Sequence, residues 1–271
     1  MSGEDLGVLA AAAASGDIAR FSTIPDRSQQ GFVNLAVALR TLAGTMAADP
    51  ALQLEGVPVV DGTTKYYVGG SQGGIYGATY MAITPDIERG ALVVPGAAYS
   101  LMLPRSVYWS DYATPFVVDR WEDPRNVQMV LAYVQMLWDR AEPSGYATAI
   151  TEEPFPDTPV HHVVLMEGIG DHQVPNLSTE LLARSIGAAY LGPPNQTLYG
   201  LDPVDGPLDN QNVFIDFSYG LPPNPIENVP MTDGDDPHGS VFFEPAAQGA
   251  MFEFLLTGTM QNYCDGACDP E

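Results

Sequence analysis

Ser71 lies in the pentapeptide Gly69-Gly70-Ser71-Gln72-Gly73, with glycine two positions before it and two positions after it. A serine hydroxyl is a poor nucleophile until a neighbouring base removes its proton. A sharp strand-to-helix turn exposes such a serine, and small flanking residues relieve the crowding that the turn creates. We therefore predict a nucleophile at Ser71, with Gly69 and Gly73 shaping a nucleophile elbow.

A flexible or phosphate-binding glycine turn is the alternative interpretation of this pentapeptide. A phosphate-binding loop would carry a lysine after the glycines, and none follows here. A β-rich run precedes the serine at 65–68, and a small-residue helix follows it at 74–83. This context favours the nucleophile elbow.

Asp171 follows a buried strand, 160–167, in the segment Gly168-Ile169-Gly170-Asp171. A carboxylate that orients a catalytic histidine should come after the nucleophile in the chain. It should also leave the carboxyl edge of a parallel sheet, where ligands collect. Asp171 meets both conditions, and a helix N-cap or turn aspartate is the alternative.

His238 is the histidine best placed to act as a base. His161 and His162 precede the strand that leads to Asp171 and should lie at its far end, while His172 adjoins Asp171. His238 lies in a loop just before the last helix, from which an imidazole can return to Ser71. The alternative is a surface loop histidine.

These residue types define an acyl-transfer chemistry. His238 would take the proton of Ser71 as its Oγ atom attacks a carbonyl, and Asp171 would hold the imidazole tautomer. The backbone N–H of Gln72 would contribute to the oxyanion hole, a donor worth about 3 kcal/mol in measured cases. An acyl-serine would form, and water would then release it.

The elements that must position these residues alternate between helix and strand, which predicts an α/β fold with a mostly parallel sheet flanked by helices. The periodicity predicts a single domain, 1–271, with no repeat. The segment 192–237 is an irregular excursion with one strand. Besides those given above, the predicted helices are 32–47, 126–140, 178–186 and 242–256, and the strands are 91–94 and 213–217.

Ser71, Asp171 and His238, in their sequence contexts, resemble the triad of α/β-hydrolase esterases and lipases. The likeness covers roughly 32–256. Proteins of this family have about four strands before the nucleophile strand and a second oxyanion donor from an early loop. Neither is evident before residue 65, so the chain resembles the C-terminal part of that fold, a truncated α/β-hydrolase.

Two explanations of the short N-terminal part remain open: a naturally short enzyme, or part of a longer exported precursor. Either one would leave a sheet edge exposed, and exposed edges invite pairing. We therefore expect a homodimer that covers this edge. A monomer by light scattering would count against it.

Aromatic residues and methionine are frequent in 99–121, where the resemblance places lid or acyl-pocket elements; such an insertion would span about 99–150. Ordinary core and lid packing is the alternative. The candidate acyl-pocket residues are Tyr99, Leu101, Met102 and Trp109, with Tyr108, Tyr112 and Phe116 as further candidates.

The chain of 271 residues has 34 acidic and 10 basic residues, a net charge of −24. Nucleic acid and anionic membranes should repel such a polyanion, so we expect neither as a partner. A small neutral ester is the expected substrate. No stretch reaches the roughly 18 apolar residues of a membrane span. The acidic start does not resemble a signal peptide, so the apolar run 9–14 is expected to be helical.

Cys264 and Cys268 are separated by Asp-Gly-Ala near the C-terminus. A small disulfide loop is the favoured interpretation and would indicate an extracytoplasmic location; a free thiol pair is the alternative. Two cysteines cannot hold zinc without further ligands, so no metal or cofactor is expected. Calcium binding by the acidic run 233–236 is conceivable, but a loop that orients His238 is the simpler interpretation.

The sequence therefore predicts a carboxylic ester hydrolase that works through an acyl-serine intermediate. An acyltransferase would use the same triad. A weakly active binding or scaffold protein with an incomplete oxyanion hole is the alternative from another functional class.

Overall fold

The computed structural model of the chain describes residues 3–112 and 117–270. Phe116 lies outside the described residues, as does the side chain of Tyr112. The α-helices are α1 (Gly3–Ser15), α2 (Thr23–Thr41), α3 (Gln72–Ile83), α4 (Tyr99–Met102), α5 (Trp109–Tyr112), α6 (Asp119–Trp121), α7 (Pro124–Trp138), α8 (Ala147–Thr151), α9 (Asn176–Ser185), α10 (Ser240–Phe243) and α11 (Pro245–Thr257). The strands are β1 (Gln53–Leu54), β2 (Val57–Pro58), β3 (Tyr67–Gly70), β4 (Arg89–Val93), β5 (His162–Gly168), β6 (Ala189–Leu191), β7 (Pro203–Val204), β8 (Leu208–Asp209), β9 (Val213–Phe217) and β10 (Thr259–Met260).

The central sheet has six strands in the order β3-β4-β5-β9-β6-β7, and every neighbouring pair is parallel. Two antiparallel pairs, β1 with β2 and β8 with β10, lie outside it. The predicted α/β fold with a mostly parallel sheet is confirmed.

The two faces of the sheet bury two separate apolar clusters because successive side chains of a strand point to opposite faces. Leu92, Leu165 and Phe214 occupy aligned positions on β4, β5 and β9 and face the cluster that includes Tyr80 of α3 and Leu182 of α9. On the opposite face, residues of the same strands pack against α11; these are Val93, Val164, Met166 and Ile215. Helices therefore cover both faces, which a parallel sheet requires.

The predicted elements of the sheet and its main helices are present, with shifted ends. The nucleophile strand runs from Tyr67 to Gly70, two residues beyond the prediction, because it continues into the glycine pair. The helix predicted at 32–47 begins nine residues earlier, at Thr23, and its last turn is π-helical from Leu42 to Met46. The predicted last helix is two helices, since Pro245 cannot continue α10 and instead begins α11.

β6 and β7 were not predicted. They have only three and two residues, which is too short for an alternation pattern to be recognised. Asn212 helps to fix their neighbour β9, because its side chain donates to the carbonyl of Ile186 and accepts the amide N–H of Val163. The predicted strand 213–217 has the observed bounds.

The apolar run 9–14 lies within α1, as expected. Across residues 3–112 and 117–270, no helix combines the length and the apolar character needed to cross a bilayer.

β3 forms one end of the sheet, and within the described residues no strand pairs with its outer side. Val68 of this strand is 53% exposed. The expected exposed edge is therefore present at the nucleophile strand. The homodimer that would cover this edge stays a prediction.

Cys264 and Cys268 are joined in a disulfide. The carbonyl of Cys268 accepts hydrogen bonds from the backbone N–H of Ser218 and from the side chain of Asn195. The disulfide loop is thereby held against the carboxyl end of β9.

Candidate active site

Ser71 is the single residue between β3 and α3, and it has a φ of 56° and a ψ of −124°. A non-glycine residue in this region is strained and persists only where its surroundings enforce it. The enforcing bonds are present: the N–H of Ser71 donates to Val93 at 2.9 Å, and its carbonyl accepts from the N–H groups of Gly74 and Ile75 at 2.8 and 2.9 Å. The backbone therefore presents Ser71 as a nucleophile elbow would.

The glycines around Ser71 differ in what they make room for. A Cβ atom on Gly69 would overlap the backbone carbonyl of Gly73, and one on Gly70 would overlap the ring of Phe242. A Cβ on Gly73 would have no atom within 4 Å. Crowding therefore explains Gly69 but not Gly73, contrary to the steric reason that the sequence pattern suggested for both.

Asp171 lies just beyond the end of β5 and is 1% exposed. Its Oδ1 atom accepts the backbone N–H groups of Gln173 and Val174 at 2.8 and 2.9 Å, and its Oδ2 atom lies 2.7 Å from Nδ1 of His238. Burial raises the pKa of Asp171, while the bonds from His238 and the two amides act in the opposite direction. Both carboxylate oxygens are thus partnered despite the loss of water.

His238 is 6% exposed and lies in a short 3₁₀ turn, Pro237–Gly239. Because its Nδ1 atom is bonded to a carboxylate, Nδ1 carries the proton in the neutral ring, and Nε2 is left as the acceptor. This is the tautomer that a general base requires.

Asp236 ties the turn of His238 to the segment that follows Asp171. Its Oδ1 atom accepts the backbone N–H groups of His238 and His172, both at 3.1 Å, and its Oδ2 atom accepts the side chain of Gln173 at 2.8 Å. Burial opposes ionisation of Asp236, but these bonds outweigh it and lower the pKa of this carboxyl. The described residues contain no cluster that could hold a metal ion. The acidic run 233–236 therefore acts here through Asp236 as a loop anchor.

Phe242 connects the His238 turn with the nucleophile elbow. Its ring fills the space above Gly70, the residue before Ser71, and its centroid lies 6.5 Å from that of the His238 ring. On β5, a Cβ atom added to Gly168 would touch the side chain of Val241. The segment after His238 therefore packs on the carboxyl ends of β3 and β5. No local pattern in the sequence indicates this role of Phe242.

Gln72 is the first residue of α3, so its N–H belongs to the helical turn that lacks intrahelical acceptors. The positive end of the helix dipole favours negative charge there. Gln72 lines a cavity together with Tyr76 and Tyr99, whose rings meet edge to face with centroids 6.4 Å apart. Within the described residues, no strand precedes β3 in the sheet to supply a second donor.

The candidate acyl-pocket residues do not gather around one cavity. Tyr99 lines a cavity of about 580 Å³ beside Gln72, whereas Trp109 lines a separate apolar cavity of about 90 Å³ beneath α1. Met102 is buried in the core, and Leu101 is 41% exposed. Tyr108 is exposed and donates to the side chain of Gln173.

His161 and His162 lie at the start of β5, the end opposite Asp171, as expected. His161 is buried, and its Nε2 atom lies 2.9 Å from the carbonyl of Thr84. Burial lowers the pKa of both histidines. Both histidines therefore lie at the edge of the sheet opposite the candidate site.

A cluster of buried acids behind Asp171 was missed. Glu167 of β5 pairs in register with Asp216 of β9, and each is 1% exposed. Gln196 donates to Oε1 of Glu167, but Oε2 has no hydrogen-bond partner within 3–112 and 117–270. Burial, followed by the charges of Glu180 and Asp216, raises the pKa of Glu167 well above its ordinary value. The sequence signal that could have revealed this cluster is Glu167 itself, a charged residue in the otherwise apolar run of β5.

No family model matches the chain, and no curated protein matches it in sequence. Several solved structures are similar to it, and three of them follow. Acetyl xylan esterase 1 from Thermoanaerobacterium sp. JW/SL YS485 has 15% identity and a TM-score of 0.36, over 69% of this chain and 47% of that one. A puromycin hydrolase mutant complexed with PGG has 14% identity and a TM-score of 0.35, over 69% and 21%. The enol-lactonase from Burkholderia xenovorans LB400 has 20% identity and a TM-score of 0.23, over 53% and 57%.

All three are α/β-hydrolase-fold proteins, the fold that the sequence resembles. The matched region spans less than half the length of the first two. Identities and TM-scores this low say nothing about the substrate of this chain.

Gly69→Ala should lower the free energy of unfolding by about 2–3 kcal/mol, because overpacking against a backbone carbonyl cannot be relieved by a side-chain rotation. Gly73→Ala is the matched control: its Cβ has open space, and alanine is the better helix former, so stability should rise by up to about 1 kcal/mol. Urea unfolding measures both. Equal stabilities for the two variants would contradict the steric assignment.

Glu167→Gln should change how stability depends on pH. A carboxyl whose pKa is raised on folding stabilises the fold below its unfolded pKa, near 4.5, and loses that contribution as pH rises toward the raised value. Glutamine cannot ionise, so the melting temperature of the variant relative to wild type should increase as the pH rises above 4.5 toward the raised pKa.

The control for this effect is Glu153→Gln at an exposed glutamate, which should shift the melting curve equally at every pH. Parallel pH profiles for Glu167→Gln and wild type would refute the role of the buried carboxyl. Scanning calorimetry at several pH values provides the measurement.

Proposed function

We propose that this protein is a serine hydrolase of carboxylic esters, with Ser71 as nucleophile, His238 as general base and Asp171 as the acid that orients His238. The observation that carries the proposal is the buried 2.7 Å contact between Asp171 and Nδ1 of His238, at the same sheet edge as the strained strand-to-helix turn of Ser71. The alternatives, a surface loop histidine and a turn aspartate with no shared function, would leave these two side chains in contact with water, whereas both are buried.

The proposed reaction has two stages. The Ser71 Oγ atom attacks the ester carbonyl while Nε2 of His238 takes the hydroxyl proton, and the resulting oxyanion accepts the N–H of Gln72. His238 then donates that proton to the departing alcohol, which leaves an acyl-serine. Water, deprotonated by His238, attacks the acyl carbon, and the carboxylic acid departs as Ser71 recovers its proton.

The charge distribution supports Asp171 as the orienting anion. Its partners are two backbone N–H groups and the imidazole, and charge-assisted bonds of this kind stabilise the ionised form and the imidazolium that develops during attack. The helix N-terminus at Gln72 favours negative charge at the oxyanion. Together these groups would stabilise both charges that form in the transition state.

Ser71→Ala should lower kcat/KM for p-nitrophenyl acetate by about 10⁴–10⁶-fold, because the acyl-enzyme can no longer form. A fluorophosphonate should label wild type at Ser71, seen as one added mass on the peptide, and should not label the variant. Unchanged hydrolysis in Ser71→Ala would refute the proposal. No hydrolysis and no labelling in wild type would favour a scaffold protein, and faster product formation with added alcohol would favour an acyltransferase.

Asp171→Asn should lower kcat by about 10³–10⁴-fold, because the amide no longer selects the tautomer that leaves Nε2 free. Asp235→Asn is the control, as Asp235 is an exposed acid in the same loop as His238; its kcat should stay within about twofold of wild type. Steady-state kinetics with folding checked by circular dichroism measures both. Equal losses in the two variants would indicate a general effect of charge.

A further inference from the structure

The cavity of about 580 Å³ beside Gln72 lies between α2, the first half of α3 and the segment around Tyr99. Gln72 and Gly73, the two residues that follow Ser71, form part of its wall. Its volume falls in the range of roughly 300–1,000 Å³ that is usual for small-molecule sites. The cavity therefore has the size and position of a substrate subsite.

Aromatic side chains dominate the wall of this cavity; they are Phe32, Tyr67, Tyr76, Tyr80, Tyr99 and Trp138. Their rings present flat apolar surfaces, which favour stacked or edge-to-face contacts with another aromatic ring. Trp138 and Tyr99 already stack on each other, with centroids 4.3 Å apart.

The phenol groups of Tyr67 and Tyr76, near Gln72, form hydrogen bonds with other groups of the protein. Tyr67 donates to the carbonyl of Gly73 at 2.6 Å, and Ser28 donates to the phenol of Tyr76 at 3.0 Å. The rings of Tyr76 and Tyr99 meet edge to face, with centroids 6.4 Å apart. Burial raises the pKa of Tyr99 well above its ordinary value, so this phenol stays neutral. These bonds fix the rings in place, so that the cavity is formed before a ligand arrives.

Two residues of the wall have a buried polar atom without a hydrogen-bond partner among the described residues. These atoms are the phenol oxygen of Tyr80 and Nε1 of Trp138. A buried N–H without an acceptor is costly, and an oxygen of a ligand could supply one. The charged residues of the wall are Arg27 and Asp5, whose side chains form an ion pair at 3.0 Å. The wall therefore has no excess charge that would select an ion.

The position of His238 decides which part of an ester would enter. The departing alcohol must lie near the imidazole, which protonates it. None of the residues lining the cavity comes from the His238 turn or from α10. The acyl group, on the other side of the carbonyl, is the part that can extend past Gln72 into the cavity.

We propose that this cavity binds a neutral aryl-containing acyl group, so that the substrates of the protein are esters of arylalkanoic acids. This inference rests on the proposed ester hydrolysis at Ser71. The ring would pack among Tyr67, Tyr76 and Tyr99.

Gly31→Trp tests the cavity directly. Gly31 is an exposed residue of α2 on the cavity wall, and a Cβ there meets no atom within 4 Å, so the indole can enter the cavity without displacing the fold. Gly44→Trp is the matched control: it is the same substitution at an exposed glycine with equal open space, away from the cavity.

The readout is the ratio of kcat/KM for ethyl 3-phenylpropanoate to kcat/KM for ethyl acetate. We expect wild type and Gly44→Trp to favour the aryl ester at least 10-fold, and Gly31→Trp to lose that preference. A ratio near one in wild type, or a ratio that Gly31→Trp leaves unchanged, overturns the aryl subsite while hydrolysis at Ser71 stands.

Binding of 3-phenylpropanamide, followed by tryptophan fluorescence and calorimetry, separates this inference from the proposed function because it needs no catalysis. Binding to wild type that weakens at least 10-fold in Gly31→Trp supports the subsite even if no ester is hydrolysed. No binding to wild type overturns it. Tighter binding of phenyltrimethylammonium than of the amide overturns the assignment of a neutral ligand.

Discussion

The parallel register of β3, β4 and β5 is the constraint on which the site depends. Gly70, Val93 and Met166 lie opposite one another, so the three strands end at one edge. The ladder continues one residue further, since the N–H of Ser71 donates to Val93 and that of Val94 donates to Met166. These bonds hold the elbow and the segment leading to Asp171 in one rigid frame, and His238 needs only a short turn to reach it.

The same edge holds two buried carboxyl groups in different surroundings. Asp171 accepts two backbone N–H groups on Oδ1 and is paired with His238 through Oδ2, and these bonds act against the effect of burial on its pKa. Glu167, four residues earlier, has one oxygen without a partner among the described residues and two neighbouring acids, which together with burial raise its pKa well above its ordinary value. The hydrogen-bond partners of each carboxyl therefore distinguish two buried acids of the same strand end.

Aromatic rings lie beside the nucleophile elbow on the side where β3 ends the described sheet. β3 ends the sheet, and α2 with the rings of Tyr67, Tyr76 and Tyr99 lies beside the start of α3. The space that remains between them is the cavity next to Gln72. The open edge of β3 and the proposed acyl subsite therefore have the same origin. At this edge, helices and aromatic side chains flank the elbow, and the cavity is the space between them.

The sequence by itself determined the α/β class and the candidate residues Ser71, Asp171 and His238. Hydrophobic periodicity records which faces are buried, and a strained turn restricts its neighbours to particular residue types such as Gly69. Only the tertiary structure decided what depends on contacts between distant segments: the ring of Phe242 over Gly70, the pairing of Glu167 with Asp216, the separation of Tyr99 from Trp109, and the aromatic cavity. Side chains that meet across different elements leave no local periodicity, so neither their contacts nor the volume between them can be predicted from spacing along the chain.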